Sequence, residues 1–238
     1  IDKFEKLKND LKNYKIFKYK YFFDIFIKNN NKILCYENNN FFYRTNNDYF
    51  KKNINLIAKE INSNVNKQTD IVELGAGYGR IALSLINKRI KFRNMYCYEF
   101  TSNGRELIKT LSKNLKYNIK VSSCDFNKKQ IFKNSIPRQS IVYTYNSIMV
   151  VPKIKEVFFK QIIQLKPKIV LHFEPDYSKL SKDNKLDKYC KKYCEINNYN
   201  DNFYLVLEKL ANQKKIEIIK YNDFIRRNPF VPSKMIAW

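Results

Sequence analysis

The chain has 238 residues, of which 44% are hydrophobic, so it is long enough to bury the core of one large α/β domain. Its net charge is +24, but only eight of its 46 basic residues are Arg, and Lys is spread along the chain. With frequent Asn, Ile, Tyr and Phe, this composition is typical of an AT-rich codon bias. Nucleic acid is therefore a possible partner but not the favoured one, and the same positive field would concentrate an anionic small substrate.

The cysteine and histidine content argues against a metal site and a disulfide framework. The five cysteines lack framework spacing, and one histidine leaves a zinc site without its usual ligands, so we expect no metal. Free thiols in a reducing cytoplasm are the expectation. The longest apolar stretch, residues 21–27, is too short and too polar to cross a bilayer, and we expect neither a membrane span nor a signal peptide.

Residues 1–66 lack a strand–helix alternation, and we predict that they form a mainly helical N-terminal cap. A short strand is expected at 33–36 and a second helix from about Asp48. Such a cap can close a substrate site or have a purely structural role. A first helix is predicted from apolar residues at three- and four-residue steps, namely Phe4, Leu7, Leu11 and Tyr14.

Residues 67–238 alternate between strand and helix patterns, which predicts an α/β domain with a doubly wound, mostly parallel sheet of seven strands. The last two strands have no helix between them, so an antiparallel C-terminal hairpin is expected. Pro152 is expected in the first turn of the helix after the fourth strand. The predicted strands are 71–74, 95–99, 119–121, 140–145, 168–174, 216–221 and 234–238.

Three of the four glycines in the chain lie between positions 75 and 79, directly after the first predicted strand of this domain. Glycines allow positive φ and let the backbone approach a ligand closely, and the helix that follows offers free N–H groups. A dinucleotide-binding loop normally reads GxGxxG, whereas here the third glycine comes one position early.

The segment 72–80, Val-Glu-Leu-Gly-Ala-Gly-Tyr-Gly-Arg, resembles motif I of the class I S-adenosylmethionine-dependent methyltransferases. The resemblance extends over about residues 67–238 and implies a Rossmann-like fold with S-adenosylmethionine as cofactor. It implies that Glu73 organises the loop and contacts the methionine portion of the cofactor. The loop residues assigned to the cofactor are Gly75, Ala76, Gly77 and Gly79.

Later strand ends carry further residues that match the family pattern. The resemblance implies that Glu99, after the second strand, holds both ribose hydroxyls, and two carboxylate oxygens suit a vicinal diol. Phe100 would flank the adenine, while Asp125 would accept from its amino group with Phe126 beside it. Asn146, after the fourth strand, is also assigned to the cofactor.

Candidate catalytic residues follow the fourth and fifth strands. His172 and Glu174 share one face of the fifth strand, so the carboxylate can orient the imidazole as a base for an acceptor hydroxyl. A buried, hydrogen-bonded histidine is the structural alternative. Tyr145 is a further candidate. The segment after the fourth strand departs from the Asp/Asn-Pro-Pro-Tyr signature of enzymes that methylate nucleobase amines, which disfavours that chemistry.

Arg226 and Arg227 lie between the last two strands, where planar guanidinium groups could bind a phosphate or carboxylate of the substrate, or could be ordinary surface charges. Residues 171–175 and 228–233 resemble bacterial sugar O-methyltransferases of surface-glycan and capsule pathways. The resemblance implies O-methylation of a sugar-like or phosphorylated small molecule. An RNA or protein methyltransferase and a non-catalytic methyltransferase-like module remain alternatives.

Overall fold

The computed structural model describes residues 31–128, 130–132 and 136–238, and the predicted first helix lies outside these ranges. The described chain begins with a β-hairpin of β1 (Lys32–Glu37) and β2 (Asn40–Thr45). Asn38 and Asn39 have φ of 50° and 61°, as a two-residue hairpin turn requires. The strand predicted at 33–36 corresponds to β1, whereas β2 was not predicted.

Helix α1 (Asn46–Asn62) follows the hairpin and covers one face of the main sheet. Thr45 caps it by accepting a hydrogen bond from the amide of Asp48 at 3.1 Å. Its apolar residues, including Phe50 and Ile57, are buried against the sheet and against the next helix. The described part of the predicted cap is therefore a hairpin followed by a helix.

The main sheet has seven strands in the order β5-β4-β3-β6-β7-β9-β8. Strands β3 to β7 run parallel, and β9 is antiparallel to both β7 and β8, which confirms the predicted doubly wound sheet and its antiparallel C-terminal hairpin. The strands are β3 (Ile71–Leu74), β4 (Met95–Tyr98), β5 (Ile119–Ser122), β6 (Ile141–Tyr145), β7 (Ile169–Pro175), β8 (Lys220–Asp223) and β9 (Ser233–Ala237).

Helices pack on both faces of this sheet and create two hydrophobic cores. One core lies beneath α1 and α2 (Arg80–Asn87), and the other lies beneath α4 (Glu156–Gln164) and α6 (Phe203–Asn212). Strands β3 and β7 are buried along their whole length, as expected for parallel strands covered on both faces. The helices of this domain are α2 (Arg80–Asn87), α3 (Ser102–Asn114), α4 (Glu156–Gln164), α5 (Lys185–Ile196) and α6 (Phe203–Asn212).

Two sequence expectations about local structure were wrong. Helix α4 begins at Glu156, so Pro152 lies before it and not in its first turn. The reason is that the backbone of Ile154 exchanges hydrogen bonds with the side chain of Asn202, which holds this segment outside the helix. Strand β8 begins four residues later than the predicted start at 216.

No helix within the described ranges is both long enough and apolar enough to cross a membrane. In the same part of the chain, no group of three or more His, Cys, Asp or Glu side chains is placed to hold a metal ion.

Candidate cofactor and acceptor site

The glycine loop joins β3 to α2 and is fixed by the neighbouring strand. The amides of Gly75 and Ala76 both donate to the carbonyl oxygen of Tyr98, at 2.8 and 3.0 Å. Gly75 has φ +72°, and a Cβ atom there would overlap the Cβ of Ser147. Glycine is therefore required at this position by both backbone conformation and space.

Glu99 links the glycine loop to the start of helix α3. One carboxylate oxygen accepts from the amide of Gly77 at 2.8 Å, and the other accepts from the amide and hydroxyl of Thr101 at 2.8 and 2.7 Å. A carboxylate has about four acceptor positions, so these contacts leave capacity for the hydroxyls of a ligand. Glu99 thus shapes the loop and also faces the cavity beside it.

Asp125 and Phe126 follow β5 and form the adjacent wall. Asp125 accepts a hydrogen bond from the amide of Asn127 at 3.0 Å, which closes a tight turn. The ring of Phe126 packs against Phe158 with 4.6 Å between ring centroids, while Phe100 is 65% exposed. An exposed ring and a buried ring therefore occupy the same end of the cavity.

These residues surround one cavity of about 390 Å³ at the carboxyl ends of the parallel strands. This is where open α/β sheets bind ligands. Among the residues that the sequence assigned to the cofactor, those lining this cavity are Gly75, Gly77, Glu99, Phe100, Asp125, Phe126 and Asn146. The cavity is the size of a small-molecule site.

The other assigned residues support the loop without lining the cavity. Glu73 is buried, and its Oε2 accepts from the amide of Ala82 at 3.1 Å and from the Tyr143 hydroxyl at 2.9 Å. Burial raises the pKa of Glu73 to about 8, although these two hydrogen bonds oppose the shift. Ala76 is buried in the core, and Gly79 precedes the first residue of α2.

His172 is fully buried, and both ring nitrogens have partners. Trp238 Nε1 donates to Nε2 at 3.0 Å, so Nε2 carries no proton, and Nδ1 must donate to the Thr144 hydroxyl at 2.9 Å. Burial lowers the pKa of His172 to about 3. Because the imidazole cannot reach a ligand, the geometry revises the expectation of a catalytic base and gives His172 a structural role.

Glu174 does share a face of β7 with His172, but it binds mainly the backbone after β6 and is linked to the imidazole only through the Thr144 hydroxyl, which hydrogen-bonds both side chains. Its carboxylate accepts from the amides of Ser147, Ile148 and Met149 at 2.8 to 3.3 Å and is fully buried. Burial raises the pKa of Glu174 to about 7, against the effect of these amides. Since Asn146 and Ser147 line the cavity, Glu174 positions one of its walls.

Tyr145 lies at the end of β6 with its side chain on the α1 face of the sheet. Its hydroxyl is close enough to that of Tyr49, on α1, to raise the Tyr49 pKa, although burial contributes more to that shift. Of the three residues predicted to be catalytic, only Tyr145 thus has a side chain that is partly exposed.

Arg226 and Arg227 are not brought together as an anion clamp. The guanidinium of Arg226 lies over the ring of Tyr36, 4.7 Å from its centroid, and donates to the carbonyl oxygen of Pro229 at 3.2 Å. Its backbone also pairs with that of Tyr36. Arg226 therefore fastens the hairpin to the last strands, whereas Arg227 is an exposed side chain.

Sequence reasoning missed two residues that shape the loop. Gly104, in the first turn of α3, lets the helix approach the loop so closely that a Cβ atom there would lie 2.6 Å from the carbonyl oxygen of Gly77. Ser147 donates to the carbonyl oxygen of Leu74 at 3.0 Å and packs against Gly75. The rarity of glycine was the available signal for Gly104, while the signal for Ser147 was its place after the fourth strand, next to the assigned Asn146.

Comparisons with known proteins identify the fold. No family model matches the chain, and no curated protein matches it by sequence. Many solved structures match by shape. A protein from Galdieria sulphuraria, provisionally named a sarcosine dimethylglycine methyltransferase, matches with a TM-score of 0.58 at 13% identity, covering 86% of this chain and 76% of its own.

Two further solved structures have the same architecture. An S-adenosylmethionine-dependent methyltransferase from Clostridium acetobutylicum matches with a TM-score of 0.54 at 12% identity, covering 79% of this chain and 90% of its own. Geranyl diphosphate C-methyltransferase from Streptomyces coelicolor, in complex with S-adenosyl-L-homocysteine, matches with a TM-score of 0.53 at 9% identity, covering 77% and 78%. The chain therefore has the class I S-adenosylmethionine-dependent methyltransferase fold.

Proposed function

We propose that the protein is an S-adenosylmethionine-dependent O-methyltransferase acting on a small, anionic or sugar-type acceptor. The observation that carries this proposal is the cavity beside the glycine loop. Its wall brings together Gly75, Glu99 and Asp125, three residues that the sequence had assigned to the cofactor from separate strand ends. A dinucleotide-binding loop normally reads GxGxxG, whereas the third glycine of this loop, Gly79, comes one position early.

The residues present fit the proposed cofactor. A Cβ atom at Gly75 would fill the space between the loop and Ser147, Glu99 has free acceptor capacity, and Phe100 offers an exposed ring. When bound, S-adenosylmethionine would supply an electrophilic methyl group on a sulfonium. The protein's own task is then to align the acceptor oxygen with that methyl carbon and to exclude water.

Tyr145 is the residue that we propose acts on the acceptor hydroxyl. It adjoins Asn146 and Ser147 in the chain, and these two line the cavity. A phenolic hydroxyl can accept from the acceptor while it donates elsewhere, which fixes the direction of the attacking lone pair. The proposal moves the chemical role away from His172 and Glu174, which are fully buried.

Residues 1–66 are proposed as the cap over the acceptor, with 67–238 forming the cofactor domain. Support comes from α1. The ring centroid of Phe50 lies 4.7 Å from the guanidinium of Arg80, and the side chain of Tyr49 interacts with that of Tyr145. The surface-glycan or capsule assignment of the acceptor has a separate basis. It depends on the sequence resemblance of residues 171–175 and 228–233.

Cofactor binding is the first test. Isothermal titration of S-adenosylmethionine into the wild type, Glu99→Gln and Glu217→Gln should give binding that weakens about tenfold or more only in Glu99→Gln, the loss expected for a hydrogen-bonded charge. Glu217 is exposed and far along the chain from the cavity, which makes it the matched control. Wild-type protein that binds no cofactor would support the non-catalytic alternative.

Acceptor class is the second test. Protein incubated with methyl-labelled S-adenosylmethionine is offered phosphorylated sugars, nucleotide sugars and RNA in separate reactions, and label should enter a small-molecule fraction as an alkali-stable methyl ether. Label in RNA alone would contradict the proposal.

An RNA acceptor is the second candidate, and one surface feature favours it. On α5, the exposed Tyr189 lies 6.0 Å from Phe230 between centroids, beside the exposed lysines Lys188 and Lys192. Aromatic rings between cations are suited to stacking bases of a single strand. This candidate predicts an RNA affinity that falls steeply with salt, and no binding at low salt would remove it.

A further inference from the structure

A cation without a carboxylate partner lies beside the glycine loop. Arg80 is the first residue of α2 and is partly buried, with its guanidinium 4.7 Å from the ring centroid of Phe50 and 6.0 Å from that of Tyr78. Among the ion pairs of the described residues, none involves Arg80, whereas other partly buried cations such as Lys220 do have one. A guanidinium stays charged at any physiological pH, so Arg80 is able to bind an anionic group of a ligand.

The nearest carboxyl group does not neutralise it. Glu73 influences the pKa of Arg80, but its Oε2 already accepts from the amide of Ala82 and the hydroxyl of Tyr143. Burial also raises the pKa of Glu73 to about 8, which favours its neutral form at pH 7. The positive charge of Arg80 is therefore left available to a ligand.

Hydroxyl groups surround the same position. Tyr49 and Tyr145 lie near each other and near Arg80. The Tyr49 hydroxyl accepts from the side chain of Asn53 at 3.1 Å and donates to the carbonyl oxygen of Ile225 at 3.5 Å, so it is committed within the protein. Tyr145, in contrast, is partly exposed, so its hydroxyl is the one that can donate to a ligand of Arg80.

The position of the cluster relative to the cavity is set by the chain. Arg80 directly follows the glycine loop, and Tyr145 directly precedes the cavity residues Asn146 and Ser147. In the sheet, Glu99 and Asp125 follow the strands on one side of β3, whereas Tyr145 ends the strand on its other side. A ligand group held by Arg80 would thus approach the loop from the side opposite the nucleoside-binding acids.

We propose that Arg80, together with the hydroxyl of Tyr145, binds an oxyanion carried by the methyl acceptor. The planar guanidinium can donate two parallel hydrogen bonds to a phosphate or carboxylate, and the flanking rings keep it from being fully hydrated. This role replaces the one expected for Arg226, which is committed to Tyr36 and Pro229. The inference rests on the proposed methyltransferase function and names the chemistry of its acceptor.

The test uses small anions on the full chain saturated with S-adenosyl-L-homocysteine. Inorganic phosphate and sodium acetate are titrated separately by calorimetry into the wild type, Arg80→Gln, Tyr145→Phe and Arg138→Gln. Arg138 is exposed and precedes β6, so it lies at the opposite edge of the sheet and controls for the general positive charge. The better-bound anion tells whether the acceptor group is a phosphate or a carboxylate.

We expect at least one anion to bind the wild type, with affinity about tenfold weaker in Arg80→Gln, a few-fold weaker in Tyr145→Phe and unchanged in Arg138→Gln. Affinity for S-adenosyl-L-homocysteine should change less than about twofold in all variants. Failure of the wild type to bind either anion, or equal weakening in Arg80→Gln and Arg138→Gln, would overturn the inference.

Two controls keep this result separate from folding and from the proposed function. If Arg80→Gln does not fold, Arg80→Lys decides, because it keeps the charge and loses the paired donors, and unchanged anion affinity in that variant overturns the inference. If the wild type fails to bind S-adenosyl-L-homocysteine, the proposed function is wrong. If the cofactor binds but the anion affinity is the same with and without Arg80, the role of Arg80 in anion binding is wrong and the proposed methyltransferase function stands.

Discussion

The indole N–H of Trp238 donates to Nε2 of His172 across 3.0 Å, and this single contact fixes the protonation of the only histidine in the chain. An indole nitrogen can only donate, so Nε2 must be the acceptor and the imidazole must be neutral. The aromatic rings of Phe159 and Phe203 enclose the same imidazole. His172 therefore connects β7 to the last residue of the chain within the core.

We predict that His172→Asn lowers the free energy of unfolding by about 1–3 kcal/mol, because it leaves the buried donor of Trp238 or the hydroxyl of Thr144 unsatisfied. Urea denaturation measures this loss, and Trp238→Phe serves as the partner in a double-mutant cycle. The two losses should be clearly less than additive. If His172→Asn keeps full stability and cofactor affinity but shows no turnover, the structural role is wrong and His172 acts as the catalytic base.

Gly75 and Gly77 offer a comparison between backbone strain and steric overlap. Both have positive φ, but a Cβ atom at Gly77 has nothing within 4 Å, whereas one at Gly75 meets Ser147. Gly77→Ala should cost about 1–2 kcal/mol of stability from backbone strain alone. Gly75→Ala should cost more and should also abolish cofactor binding by calorimetry. Equal effects of the two substitutions would show that the contact with Ser147 is unimportant.

Replacing glycine by alanine within a helix usually stabilises a protein, but we expect Gly104→Ala to destabilise this one. At an unconstrained helical position the change stabilises by roughly 0.5–1 kcal/mol. At Gly104 the new methyl group would press on Gly77 and Glu99, so we expect lower stability and at least about tenfold weaker cofactor binding. Lys109→Ala, on the exposed side of the same helix, is the control and should leave cofactor affinity unchanged. A stabilised Gly104→Ala protein contradicts the close packing of α3 on the loop.

The buried carboxyl group of Glu73 predicts a pH dependence of stability. Burial raises its pKa from the ordinary 4.5 to about 8 on folding, so the folded state binds more protons than the unfolded state between these values. Stability from this group is complete below about pH 4.5 and is lost as the pH rises towards 8. Glu73→Gln should therefore show a smaller loss of stability than the wild type between pH 5 and 8.

The comparison is made by urea denaturation at a series of pH values, with Glu217→Gln as an exposed control. Taking the difference between wild type and variant removes the contributions of His172 and Glu174, which are common to both proteins. Parallel pH profiles for the wild type and Glu73→Gln would show that Glu73 keeps an ordinary pKa in the folded protein.

The sequence was sufficient for the order of the sheet's elements and for half of the residues that line the cavity. Buried parallel strands produce apolar runs of a characteristic length, and the acids at Glu99 and Asp125 follow such runs directly. Strand ends in a parallel sheet meet at one edge, which is why residues 50 positions apart along the chain, Gly75 and Asp125, line the same cavity.

The roles of His172 and Arg226 could not be obtained in this way, because they depend on partners that are distant in sequence. The pattern of β7 places His172 and Glu174 on one face, but it does not reveal Trp238, which arrives 66 residues later. Likewise, the neighbouring hairpin determines what Arg226 contacts. Periodicity locates a side chain on an element, whereas its chemical role follows from what the other elements bring to it.

The Tyr36–Arg226 bridge joins the start of the described chain to its end. Their backbones exchange hydrogen bonds at 3.1 Å in both directions, so the hairpin is paired with the loop that connects the last two strands. Phe224 and Ile225, the two residues before Arg226, are buried in the core, so this bridge lies directly over part of it. Hydrogen exchange at the amides of Tyr36 and Arg226 would consequently report on how firmly the hairpin is held to the last strands, although neither residue lines the cavity beside the glycine loop.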